Sequence, residues 1–143
     1  MFQSLKNSPF YKEAFNQLSY SFGTFYLFPG FVVAEINEGV VFSWEDHGKT
    51  VTEDIGNLYD ENGEGLIYIT NRVHNYSVNP IGWLQFYKSK YKLKAYVIVT
   101  YSKKGYSNTL LEKLFMSANI YRFTALEKAI EWAKKECLVS TSN

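Results

Sequence analysis

The sequence holds a single cysteine, Cys137, so no internal disulfide can form. Its only histidines are His47 and His74, and no short-range pair of His or Cys ligands occurs. That spacing does not match a closed zinc site, so neither a metal nor a cofactor is expected. Long apolar runs are missing as well. The longest, such as residues 95–100, fall far short of the ~20 residues of a membrane helix. There is no G-x-x-x-x-G-K-[ST] loop, and Gly23, Gly30 and Gly39 do not compose a G-x-G-x-x-G. Neither charge sign dominates, with 15 basic against 14 acidic residues. That balance gives no global pull toward nucleic acid or an anionic bilayer, so neither partner is expected. The opening MFQSLKNSPF lacks the apolar core and cleavage site of a secretory signal. With the lone cysteine, this predicts a reducing, cytoplasmic location.

What is present points to a globular chain. At 143 residues and 46% hydrophobic content it fits one domain. A chain of this length buries about 68–70% of its unfolded surface and needs no staple. The aromatic share of 18% is high, and lysines outnumber arginines 13 to 2. The aromatics have two open explanations, a biased composition and an aromatic partner surface. The expected boundaries are an N-terminal arm or short helix over 1–17, one α/β domain over 18–138, and a polar tail over 139–143.

Residues 1–18 read two ways. Ser8-Pro9 can open a helix carrying Phe10, Ala14, Phe15 and Leu18, or the stretch is a docked arm. Alternation over 20–28 predicts a strand, broken by Pro29-Gly30 and resumed over 31–36. So short a connection makes an antiparallel hairpin. Ser43, with Asp46 three residues on, resembles a capping box before Trp44, Val51, Ile55 and Leu58 at helical spacing. Gly48 falls on the same face. Strands follow over 66–70, 94–101 and 120–123. Helices are expected from Pro80, with Ile81, Leu84, Tyr87 and Tyr91 inward, and from Ser107, with Leu110, Leu111, Leu114, Phe115 and Ala118. Thr124-Ala-Leu-Glu127 predicts a capping box for a last helix burying Leu126, Ala129, Ile130, Ala133 and Cys137. The order ββαβαβαβα predicts a mixed α/β sheet of about five strands with about four helices. It opens on an antiparallel hairpin and continues in parallel through right-handed crossovers. The predicted core is Val33, Ile36, Val51, Ile55, Ile67, Ile69, Leu84, Val97, Val99, Leu111, Leu114, Ala129, Ile130 and Ala133.

This order, with Arg122 and Phe123 on a short strand running into Leu126, Glu127, Ala129 and Trp132, resembles the SpoIIAA-like domains, relatives of the STAS fold. The resemblance covers roughly residues 18–137. It implies a SpoIIAA/STAS-like fold and a non-catalytic regulatory or binding role. STAS domains that antagonise anti-sigma factors carry a phosphorylatable serine in a D-S-S-G turn after the third strand. The stretch here, NRVHNYSVNP, has Ser77 but no D-S-S-G, and it is longer.

Ligands of open α/β sheets sit at the carboxyl ends of the parallel strands. The loops expected there gather Glu38, Asn71, Arg72, His74, Tyr76, Ser77, Lys103, Lys104 and Tyr106, beside helix starts near Ser43, Pro80 and Ser107. Such a set suits a small anionic ligand. The plainer reading is that these polar groups cap helices and meet water. Arg72 stands between a ligand contact on one side and a salt bridge to Glu38 or a contact with a main-chain carbonyl on the other. His74 has no acid or nucleophile spaced to make a triad, and Ser77 lacks the G-x-S-x-G elbow, so no catalytic residue is assigned. Lys88, Lys90, Lys92 and Lys94 form one basic cluster, read as a solvated face. The partners left open are a protein, a second copy of the chain in a homodimer, and a small anion.

Overall fold

The computed structural model describes residues 3–59, 65–79, 81–82, 85, 93–101 and 120–141. Its centre is a six-stranded mixed sheet. The strands are β1 (Asn16–Tyr20), β2 (Gly23–Phe28), β3 (Phe31–Ile36), β5 (Ile67–Asn71), β7 (Ala95–Val99) and β8 (Ile120–Phe123), in that spatial order. β1, β2 and β3 pair antiparallel, and β3, β5, β7 and β8 pair parallel. Two further strands, β4 (Val41–Phe42) and β6 (Ser77–Val78), form a separate parallel pair. The α-helices among the described residues are α1 (Lys49–Tyr59) and α2 (Leu126–Thr141). Of the helix expected from Pro80, Ile81, Gly82 and Gln85 are helical. The helix expected from Ser107 lies outside the described residues.

The expected strand over 20–28 is in fact two strands. A two-residue turn at Ser21-Phe22 reverses the chain, so that Tyr20 pairs with Gly23. The reversal is hidden in the sequence because β2 is apolar on both faces, with Phe25, Tyr26, Leu27 and Phe28 all buried. A strand covered on both sides has no polar face to mark its register. Gly23 is required there, since a Cβ would lie 2.7 Å from the Glu35 carbonyl oxygen. The Pro29-Gly30 turn is as expected. It pairs Phe28 with Phe31, stacks their rings 4.6 Å apart, and gives Gly30 a φ of +82°.

One sheet face carries Tyr26, Phe28, Phe31, Val33, Ile67, Ile69, Ala95, Val97 and Val99 under α2. The stripe Leu126, Ala129, Ile130 and Ala133 faces it, as its helical spacing predicts. Helix α2 starts at Leu126 and its first turn closes from Ala129 N–H to Ala125 O, which puts Ala125 rather than the expected Thr124 at the position before the helix. The other face carries Phe25, Leu27, Val32, Ala34 and Ile36 against Val51 and Ile55 of α1. Every described member of the predicted core is buried. Leu84, Leu111 and Leu114 lie outside the described residues.

The start of α1 is wider than a standard turn, with π-type geometry over Trp44–Gly48. Ser43 Oγ accepts from Asp46 N–H at 3.2 Å, as a cap should. The Ser43 N–H goes not to a carboxylate but to His47 Nδ1 at 2.9 Å. Leu58, expected inward, is exposed. Tyr59 takes the inner row instead, four residues after Ile55, with its hydroxyl 2.5 Å from the Phe28 carbonyl oxygen at the Pro29-Gly30 turn. Gly48 is buried as expected, but its close neighbours are Trp44 and Phe42 rather than the main sheet.

Residues 5–7 and 11–13 form two 3-10 turns, so the first segment is a docked arm rather than one helix. Leu5 is fully buried under the α2 face of the sheet, with Phe10 and Ala14 packed beside it.

Candidate functional site

The parallel strands β3, β5 and β7 end side by side, and their last residues put polar side chains on both faces. Glu35 follows Phe31 and Val33 at period two, so it points to the α2 face. It is 8% exposed. Asn71, the last residue of β5, shares that face with Ile67 and Ile69. Tyr101 does so beyond Val97 and Val99. The three side chains meet. Asn71 Nδ2 donates to Glu35 Oε2 at 2.8 Å, and Tyr101 Oη donates to Asn71 Oδ1 at 2.7 Å.

The arm completes this cluster. Glu35 Oε2 accepts the Leu5 N–H at 2.7 Å, and Oε1 accepts the Ser4 hydroxyl at 3.0 Å. Asn71 Nδ2 also donates to the Gln3 carbonyl at 2.8 Å. The buried carboxylate is therefore held by three donors, none of them cationic. Lining up Glu35 with Phe31 and Val33 was the available signal: a charge at an inward register of an apolar strand needs partners.

Arg72 leaves on the opposite face, as the alternation after Asn71 requires. It is 5% exposed, not at the surface. Its main-chain N–H bonds Val99 O at 3.0 Å, and Nη1 donates to Tyr76 O at 3.2 Å. The guanidinium carbon lies 4.3 Å from the Tyr76 ring centre. Tyr76 is also buried, with its hydroxyl 2.5 Å from Thr70 Oγ1. Arg72 does not pair with Glu38. Glu38 Oε1 instead accepts the Asn75 N–H at 2.8 Å, and Gly39 N–H bonds Asn75 O at 2.7 Å. His74 and Ser77 are exposed, and Ser77 N–H joins the β4–β6 pair through Val40 O.

The expected candidate set is thus divided by the sheet. Asn71 belongs to the α2 face. Arg72 and Tyr76 are buried together on the other face. Glu38, His74 and Ser77 lie outside both groups. Lys103, Lys104 and Tyr106 lie outside the described residues, as do Lys88, Lys90 and Lys92. Lys94 Nζ donates to Glu136 O near the end of α2 at 2.9 Å. Strand order also bears on the site. The run β3-β5-β7-β8 proceeds in one direction, without the reversal that opens a ligand crevice in doubly wound sheets. Among the described residues no group of three His, Cys, Asp or Glu side chains converges, and no helix is long and apolar enough to cross a membrane.

Tyr20, Tyr26, Tyr68, Tyr96 and Tyr101 share one electrostatic property, a raised pKa. Burial first, and then the Glu35 charge, push Tyr101 and Tyr26 up to about 12. Tyr68 and Tyr96 are held well above the usual phenol value, again by burial first, with the Arg72 charge opposing. Tyr20 is raised by burial and by its 2.6 Å bond to Asp54. Unfolded tyrosine ionises near ~10. Each of these groups has a folded value above that, so its contribution is complete below ~10 and is lost as the pH rises. A cooperative alkaline unfolding step is therefore expected between ~10 and about 12. Circular dichroism and tyrosinate absorbance should change together. Ionisation of every tyrosine near ~10 with an unchanged dichroism spectrum would contradict this.

The fold is of the α/β class, a mixed sheet opened by antiparallel strands and continued by parallel ones. No family model, no curated protein and no solved structure matches the chain.

Proposed function

We propose that the chain is a non-catalytic regulatory or binding module of the STAS-like, SpoIIAA-like kind. One observation carries the reading: the polar side chains at the strand ends bond to the chain's own backbone. Glu35 and Asn71 hold the arm at Leu5 N–H and Gln3 O, and Arg72 holds its loop at Tyr76 O. Groups used in this way position structure rather than transfer protons or groups. The resemblance of the closing strand and helix, Arg122 and Phe123 leading into Leu126, Glu127, Ala129 and Trp132, supports the same reading. Its action is then through surface contacts with a protein partner.

A thermal-shift screen with nucleotides, lipids and small carboxylates tests this. A specific ligand at 100 times its dissociation constant stabilises a fold by about 2.7 kcal/mol. No saturable shift is expected from any of the three classes. A saturable shift that is lost on His74→Ala would overturn the proposal and place an anionic-ligand site at the strand-end loops.

A further inference from the structure

The arm is recognised in the way a peptide is recognised. Glu35 and Asn71, on the adjacent strands β3 and β5, read its main chain and the Ser4 hydroxyl. Asn71 Nδ2 reads the Gln3 carbonyl, and Glu35 reads the Leu5 N–H and the Ser4 hydroxyl. Ser4 is extended, with φ −73° and ψ 143°. The Leu5 side chain fills an apolar socket and is fully buried. Main-chain contacts with one anchored side chain are the common basis of extended-peptide recognition.

The arm is also self-contained. Its turns close on themselves through Asn7 N–H to Ser4 O, Ser8 N–H to Leu5 O, Glu13 N–H to Phe10 O and Ala14 N–H to Tyr11 O. Ser8 Oγ adds a bond to Leu5 O at 2.7 Å. These bonds lie within the arm, so seating it in another copy's socket leaves them intact. Its connection to β1 is the extended Ala14, followed by Phe15, whose N–H bonds Leu27 O. A shaped segment on a single extended connection, seated in a socket by side-chain contacts, has what domain swapping requires.

We propose that the Glu35–Asn71–Tyr101 socket is a peptide-recognition site whose partner is the arm of a second copy, so that the chain associates by exchanging arms. This deepens the binding-module reading by naming the partner. The exchanged contacts are the same as the internal ones, so complementarity is guaranteed by the fold itself. The cost is opening one arm, which concentration offsets.

Two measurements test it. In the first, an end-labelled peptide of residues 1–9 is titrated into the full chain carrying Leu5→Ser, which weakens the resident arm. Saturable binding by fluorescence anisotropy is expected, weakened about tenfold or more when Glu35→Gln is added. A folded Leu5→Ser chain with no saturable binding, or with binding indifferent to Glu35→Gln, overturns the proposal. The second uses the parent chain and decides the matter if Leu5→Ser does not fold. Glu13 of the arm lies 2.6 Å from Lys134 of α2, so a zero-length carbodiimide can join them. In an exchanged dimer that link runs between chains. Concentrated protein should give covalent dimers joined at Glu13 and Lys134, in step with a dimer seen by light scattering. A chain that stays monomeric at every concentration and links only internally overturns arm exchange. A small-molecule ligand found in the thermal screen bears on the module reading and leaves these readouts unchanged.

Discussion

Val97→Asp is expected to leave no folded protein. Val97 is fully buried in β7, between Ile69 of β5 and Tyr121 of β8, and Leu126, Ala129 and Ile130 of α2 share its core. Removing the valine forfeits about 1.5–3 kcal/mol of apolar burial. The carboxyl group adds a burial cost of several kcal/mol, whether it stays charged or takes up a proton. The sum is comparable with the whole stability of a domain, about 5–15 kcal/mol. Tyr121→Asp is the control. It stands opposite Val97 in register but is 39% exposed, so it should cost at most about 1–2 kcal/mol. Urea melts followed by circular dichroism separate the two. A cooperatively melting Val97→Asp protein would show that β7 is not at the centre.

Arg72→Ala should destabilise by roughly 2–4 kcal/mol. From sequence, Arg72 belongs at the surface, where its loss changes stability by under ~1 kcal/mol. The structure reverses that expectation. The side chain is buried, bonds Tyr76 O and lies over the Tyr76 ring. Alanine leaves that carbonyl without its donor and opens space beside a tyrosine that is itself buried. Arg72→Lys should fall between, since an ammonium keeps the charge but not the planar fork. Equilibrium unfolding in urea measures all three chains. A change below ~0.5 kcal/mol, together with weakened binding of an anion, would return Arg72 to ligand recognition.

These two positions show where the sequence is readable and where it is not. Val97 sits in a continuous apolar run, and such a run between helical patterns marks a strand buried on both faces. The α2 stripe, the β3 strand and the Pro29-Gly30 turn are legible for similar local reasons. Arg72 is buried rather than exposed because β5 runs one residue further than its apolar run. Once Asn71 is in the strand, Asn71 and Arg72 must point to opposite faces. Two neighbours that look like one polar loop thus enter two different buried clusters. Glu35 was legible in principle, as a charge in an inward register, but its partners were not. They come from Ser4 and Leu5, about thirty residues earlier, and from Asn71, thirty-six residues later.

Period and turn chemistry act between near neighbours, so the sequence alone determined the α/β class, the helix face of α2 and most of the core. Pairing across a sheet and docking of a segment act between residues far apart in the chain. Only the tertiary structure could decide the reversal at Ser21-Phe22, the β4–β6 pair, the burial of Arg72 and the seating of the arm on Glu35. Local pattern carries no term for the desolvation and hydrogen bonding that set those contacts.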